Sequence, residues 1–78
     1  MIVINGRHIR AARALLGWTQ DELSTKSRVA IGTIKRMEGF DGAVGARTET
    51  LGKVVMVLEK AGVAFLNDGE PGVRLRKR

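Results

Sequence analysis

Residues 18–39, WTQDELSTKSRVAIGTIKRMEG, form a stretch that predicts two short helices joined by a tight turn. Thr19 can accept a hydrogen bond from an amide of the first helical turn, and Glu22 can reach back to the Thr19 amide. This reciprocal arrangement is a capping box, and it predicts that the first helix runs over 20–27.

The second helix of this stretch is predicted over 31–38. Ile34 and Met37 fall on one face at helical spacing, and Gly39 follows the last helical residue, where glycine is favoured. Isolated helices of this length are marginal in water, so both must pack against the rest of the chain.

A further helix is predicted before the stretch and another after it. The earlier one has Asn5 as N-cap and ends at Gly17, and the later one covers 48–61 and stops at Gly62. Their predicted core stripes are Ile9, Ala12, Leu15 and Leu16, and Leu51, Val54, Val55 and Leu58.

The C-terminal segment changes to an extended pattern. Residues 63–66 are apolar, 67–72 form a turn cluster, and 73–76 alternate strictly, which together predict a β-hairpin. Because a lone two-stranded hairpin is rarely stable in water, it must pack on the last helix, pair with residues 1–4, or join a second molecule. Residues 1–4 themselves read equally well as an edge strand or as a frayed end.

The motifs TQDEL and TIKRMEG resemble the helix-turn-helix of the lambda-repressor-like (Cro/C1, XRE-type) DNA-binding domains, and residues 9–17 and 48–62 resemble that family's first and later core helices. The resemblance implies a mainly α fold, a four-helix lambda-repressor-like domain with a C-terminal β-hairpin. One domain is expected over 1–78, with a helical core at 5–62 and a hairpin and basic tail at 63–78 as the dimerisation element.

The same resemblance implies the site residues, by their match to the family motif. Arg13 is expected to pair with Glu38 and so to fix the angle between helices. In the turn, Arg28 replaces a common glycine and Ala30 replaces a capping serine or threonine, which leaves the detail of DNA contact open. The expected base-reading residues are Ala30, Ile31, Gly32, Thr33 and Arg36.

Two of these base-reading residues have alternative roles. Ile31 can instead be a packing residue, and Arg36 can be a phosphate contact or a solvated charge. The basic tail either solubilises the chain end or clamps the DNA backbone; its residues are Arg74, Arg76, Lys77 and Arg78.

Phosphate contacts are expected from polar and basic residues of the helix-turn-helix and the loop after it. The candidates are Gln20, Arg28, Lys35 and Arg47.

A homodimer is expected because one such helix reads only a few base pairs. Its interface is predicted on the last helix and the hairpin. Met56 and Val57 widen the apolar stripe of that helix, which also fits simple coverage by the C-terminal segment. The predicted interface residues are Met56, Val57, Phe65, Val73 and Leu75.

Composition narrows the remaining classes. The chain has 78 residues, 14 basic against 8 acidic, and a pI near 10.9, which favours a polyanionic or acidic partner. It has no cysteine and no apolar run long enough to cross a membrane, so a cytoplasmic protein is expected. His8 is the single histidine and is expected at the surface. No catalytic cluster, metal site, cofactor or phosphate-binding glycine loop is recognised, so an enzyme is not expected.

These observations predict a sequence-specific regulator that binds double-stranded DNA, acting as a homodimeric repressor on an inverted-repeat operator. The alternative is a protein-interaction module, such as an antitoxin or antiactivator, in which the hairpin binds a protein partner and the DNA-binding helices are secondary.

Overall fold

The computed structural model describes residues 4–39, 48–67 and 71–76. Their elements, in order, are α1 (Gly6–Leu16), α2 (Gln20–Ser27), α3 (Ile31–Glu38), α4 (Thr48–Lys60), β1 (Val63–Asn67) and β2 (Pro71–Leu75). The predicted mainly α fold with a C-terminal hairpin is confirmed. The predicted loop over 40–47, most of the N-terminal strand and the end of the basic tail lie outside the described residues.

Local capping chemistry starts the first two helices. The Thr19 hydroxyl accepts from the Glu22 amide at 3.0 Å, and the Glu22 carboxylate accepts from the Thr19 amide at 3.1 Å. At α1 the Asn5 side chain accepts from the Arg7 and His8 amides at 2.8 and 3.2 Å. Both predicted N-caps are therefore confirmed, and each satisfies amides that the helix itself leaves without a partner.

His8 is buried, and the prediction that it lies at the surface is wrong. It is 3% exposed, its Nδ1 accepts from the Asn5 amide at 3.1 Å, and its Nε2 lies 3.3 Å from the Leu66 carbonyl oxygen. Because Nδ1 accepts, Nε2 carries the hydrogen and donates to that carbonyl. The ring thus closes a capping box at α1 and joins α1 to β1, and it sits 6.2 Å from the Phe65 ring, centroid to centroid.

Replacing His8 by alanine is expected to lower the free energy of unfolding by about 2 kcal/mol, because it removes a buried ring and leaves the Asn5 amide and the Leu66 carbonyl without this partner in a part-buried site. His8→Gln can restore the capping bond but not both bonds, so its cost should be about 1 kcal/mol. Urea denaturation of the three proteins measures both values. An alanine variant as stable as the parent would show that the two hydrogen bonds of His8 contribute nothing to the stability of the fold.

The core lies where the four helices and the hairpin meet. Leu15 was predicted in the stripe of α1 but is 45% exposed, because the core side of the helix is centred on Ile9 and Ala12. Among the described residues no helix has both the length and the apolar character needed to span a bilayer. The buried apolar side chains are Ile9, Ala12, Leu23, Val29, Ile34, Met37, Val54, Leu58, Val63 and Phe65.

The hairpin is antiparallel, with Phe65 opposite Val73 and Val63 opposite Leu75. Side chains alternate across a strand, so these four residues share the face that packs on the helices. Phe65 is only 7% exposed, and its predicted role in a dimer interface is therefore wrong: its ring fills the core of its own chain. β1 packs against α4 and β2 against α1, which is how the small sheet gains stability.

The connection between α2 and α3 turns without a glycine. Arg28 adopts the left-handed conformation at φ 59° and ψ 31°, a region that costs a non-glycine residue about 1 kcal/mol. Two serines hold this turn: the Ser24 hydroxyl donates to the Val29 carbonyl at 2.6 Å, and the Ser27 hydroxyl accepts from the Val29 amide at 3.3 Å. These bonds and the burial of Val29 offset the strain at Arg28.

Candidate nucleic-acid interface

The solvent side of α3 forms a continuous surface that we call the α3 outer face, made of Ile31, Gly32, Thr33, Lys35 and Arg36. At 100° per residue Gly32 and Arg36 lie opposite the buried Ile34 and Met37, and Ile31 and Thr33 lie at the two borders. Burial follows this geometry, since Gly32, Lys35 and Arg36 are exposed and the border residues are half-buried. The face contains two cations and no acid.

Ala30 precedes this face as the N-cap of α3, with φ −55° and ψ 138°, and it is exposed. It makes no side-chain cap, so no side chain from residue 30 covers the first-turn amides. The amides at the start of a helix form its positive end. The start of α3 therefore adds to the positive charge of Lys35 and Arg36.

Glu38 at the other end of α3 is the centre of a buried polar cluster. Arg13 donates two parallel hydrogen bonds to the Glu38 carboxylate, Nε to Oε2 at 2.7 Å and Nη2 to Oε1 at 2.8 Å. Its Nη1 donates to the Trp18 carbonyl at 2.9 Å. Gln20 Nε2 donates to Glu38 Oε1 at 3.1 Å, and Arg10 donates to the Glu38 carbonyl oxygen. The Arg13–Glu38 pair implied by the resemblance is present.

This cluster joins three helices, since Arg13 comes from α1, Gln20 from α2 and Glu38 from α3. Hydrogen bonding to Glu38 raises the pKa of Arg13 above its ordinary value, an effect larger than the lowering by burial. The charge of Arg13, and the stability it contributes, would be lost only as pH rises past that raised pKa. The angle at which α3 is presented is therefore held in part by an arginine that stays charged near neutral pH.

Two predicted base-reading residues contact each other on the outer face. Arg36 Nη2 donates to the Thr33 hydroxyl oxygen at 3.3 Å, across one turn of α3. Gly32 has open space above it, since a Cβ added there would meet no atom within 4 Å. The fold therefore places no side chain over Gly32 and gives the Arg36 guanidinium a fixed neighbour.

The phosphate candidates fall into three groups. Lys35 is exposed on the outer face, and Arg28 is exposed in the turn that precedes α3. Gln20 was predicted to contact a phosphate, yet its amide group donates to Glu38 in this structure, so its side chain serves the buried cluster. Arg47 lies outside the described residues.

The predicted dimer residues divide in a similar way. Met56 is 56% exposed on α4, and Leu75 is exposed on β2. Val57 and Val73 are half-buried and pack against the core of their own chain, so each offers only part of its surface to a partner. Among the described residues of α4 and the hairpin, the exposed large apolar side chains are Met56, Leu66 and Leu75, and Leu66 lies on the opposite face of the hairpin from Leu75.

Sequence reasoning missed two contributors to this architecture. The role of His8 had a local signal. In a capping box, an N-cap residue such as Asn5 is followed three residues later by a side chain that can accept from the N-cap amide. The bond from Gln20 to Glu38 had none, because the two residues are 18 positions apart and meet only after the helices pack.

The described residues contain no group of three or more histidine, cysteine or acidic side chains that could hold a metal ion. No protein-family model matches the chain, and no curated protein matches it either. The surface that bears on function in the described residues is therefore the α3 outer face.

Proposed function

We propose that this protein is a sequence-specific regulator that binds double-stranded DNA as a homodimer and represses transcription by occupying an inverted-repeat operator. Its resemblance to lambda-repressor-like helix-turn-helix domains supports the proposal, and it also suggests a cytoplasmic site of action. The observation that carries the proposal is the α3 outer face, an exposed, acid-free helical surface bearing two cations and a bare glycine.

The physical fit is to the major groove, which admits an α-helix with its N-terminal residues toward the base edges. Gly32 lets the backbone of α3 approach those edges closely, because nothing projects from its centre. Arg36 can bind a guanine edge, and Ile31 and Ala30 can contact thymine methyl groups. Lys35 and Arg28 lie at the sides of the helix, where the DNA phosphates run.

A homodimer is proposed because one recognition helix contacts only a few base pairs. Two copies must place their α3 helices about one helical turn apart, roughly 34 Å. The described part of the chain is 28 Å across in its longer directions, so two copies side by side have the right scale. Met56 and Leu75 supply exposed apolar surface for that contact.

The proposal is tested by selecting binding sites for the full chain from random duplex DNA. The expected product is an inverted repeat whose half-sites are about 10 base pairs apart, centre to centre. Selected sequences that share no motif, or a motif without two-fold symmetry, would contradict the operator proposed here. Sedimentation with a labelled selected duplex then gives the number of chains bound, which should be two.

Lys35→Ala is expected to weaken binding to the selected and scrambled duplexes by the same factor. A lysine that contacts a phosphate releases a counterion and reads no base, so its loss should lower the slope of log K against log salt by about 1. Titrations at four salt concentrations measure the slope. A change confined to the selected duplex would show that Lys35 reads a base instead.

The second candidate is a protein-interaction module, favoured by the exposed apolar side chains Met56, Leu66 and Leu75. The two functions separate on a single comparison. Charged substitution of Met56 and Leu75 should weaken cooperative DNA binding if they form the homodimer, and should leave it intact if they bind another protein.

A further inference from the structure

We infer that Thr33 is a positioning residue that aims Arg36 at a guanine, and that α3 does not read the amino groups of adenine and cytosine. The inference rests on the proposed function and deepens it, because it names the bases. It departs from the expectation that Thr33 reads a base of its own.

The contact between the two residues carries the inference. Thr33 and Arg36 are three positions apart, which places them one above the other on a helix, and Arg36 Nη2 donates to the Thr33 hydroxyl at 3.3 Å. Helical side chains lean toward the N-terminus of their helix, so the Arg36 guanidinium reaches back toward the end of α3 that enters the groove. Thr33 holds it there.

The donors of Arg36 suffice for both tasks. A guanidinium carries five N–H groups in a planar fork, and one of them is used on Thr33. The remaining donors can make the two parallel bonds to the O6 and N7 acceptors of guanine. An arginine already anchored loses less conformational freedom when it binds, so anchoring increases the share of binding that depends on the correct base.

The rest of the surface offers little to the amino groups of the other bases. Adenine and cytosine present amino donors in the major groove, and reading those amino groups needs an acceptor. From residue 30 through the outer face, the Thr33 hydroxyl is the single side-chain acceptor, and Arg36 already occupies one of its two lone pairs. Ala30 and Ile31 offer only apolar contact, which suits the thymine methyl group.

The experiment uses the full chain and the duplex obtained by selection. Each guanine is replaced in turn by 7-deazaguanine, which lacks the N7 acceptor, and each thymine by uracil, which lacks the methyl group. Binding of the parent protein, Arg36→Ala, Thr33→Val and Thr33→Ser is measured on every duplex. Valine keeps the shape of threonine without its hydroxyl, and serine keeps the hydroxyl, while thermal unfolding checks that each variant is folded.

In the parent protein, 7-deaza substitution of one guanine per half-site should lower the affinity roughly 2- to 13-fold, the value of the single N7 bond that is lost. Arg36→Ala should abolish that loss, Thr33→Val should reduce it at the same guanine, and Thr33→Ser should retain it. Uracil should weaken binding at one or two neighbouring positions in all four proteins.

Some results would overturn the inference and leave the proposed function intact. One is that Thr33→Val changes the effect of base substitution at a base pair different from the one that Arg36→Ala affects. Another is that Thr33→Val has the same affinity as the parent for every duplex. A half-site whose affinity depends on adenine or cytosine amino groups facing α3 does the same. If the parent protein shows no preference for any duplex, the proposed function itself fails.

Discussion

Glu38→Ala should lower the free energy of unfolding by about 3–5 kcal/mol, the largest stability effect expected from a single substitution in this chain. The carboxylate is nearly buried and receives two bonds from Arg13 and one from Gln20. Removing the carboxylate leaves the Arg13 guanidinium and the Gln20 amide without this acceptor. Leaving these groups unpaired costs more free energy than the intact ion pair contributes to stability. Guanidinium denaturation of the parent and the variant measures it.

A double variant separates this cause from simple loss of packing. Arg13→Met with Glu38→Leu removes both charges and keeps apolar volume in the site, so it should lie within about 1–2 kcal/mol of the parent, in either direction. If the double variant is as unstable as Glu38→Ala, the cost comes from packing and not from a stranded charge. If Glu38→Ala is nearly neutral, the cluster does not hold the helices together.

Gly32→Glu should have opposite effects on folding and on DNA binding, and its effect on binding should be the largest of any surface substitution. A Cβ at this position meets no atom within 4 Å, and Gly32 lies in the first turn of α3, where a carboxylate interacts favourably with the positive end of the helix. The variant should therefore be more stable than the parent by about 0.5–1 kcal/mol. In the proposed complex the new carboxylate faces the groove, where like charges cost several kcal/mol, roughly 100-fold or more in affinity.

Two controls accompany this variant. Gly32→Gln adds the same bulk without charge and should retain part of the binding. Ala14→Glu adds the same charge on the exposed part of α1 and should weaken binding by no more than a few-fold, an effect of net charge. Gly32→Glu with unchanged affinity for DNA would remove α3 from the interface. Thermal unfolding and fluorescence anisotropy of a labelled duplex give the two readouts.

The parts of this fold that the sequence predicts are those governed by neighbours within a few residues. The Thr19–Glu22 box, the Asn5 cap and the alternation at Val73 to Leu75 each follow from local chemistry. The bounds of α2 follow from its capping box, and those of α3 from the spacing of Ile34 and Met37 and from Gly39. The ion pair of Arg13 and Glu38 was reached through family resemblance alone, since the two lie 25 positions apart.

The errors arose where packing of distant elements decides the outcome. His8 has a local role as a cap, but its burial depends on the hairpin reaching the Leu66 carbonyl, 58 residues away. Phe65 was assigned to a dimer surface because an apolar strand does not reveal which of its faces meets the helices. Gln20 sits at a helix start, which suits a phosphate, and only the arrival of Glu38 gives its amide a partner.

The central claim is that α3 distinguishes one duplex sequence from another, and the affinity ratio between the selected duplex and a scrambled duplex of the same composition tests it most directly. Measured for the full chain by competition at about 150 mM salt, the ratio is expected to be roughly 1,000-fold or more. A ratio near one, with affinity that still falls steeply as salt increases, would show a cationic protein that binds any polyanion and would contradict the account.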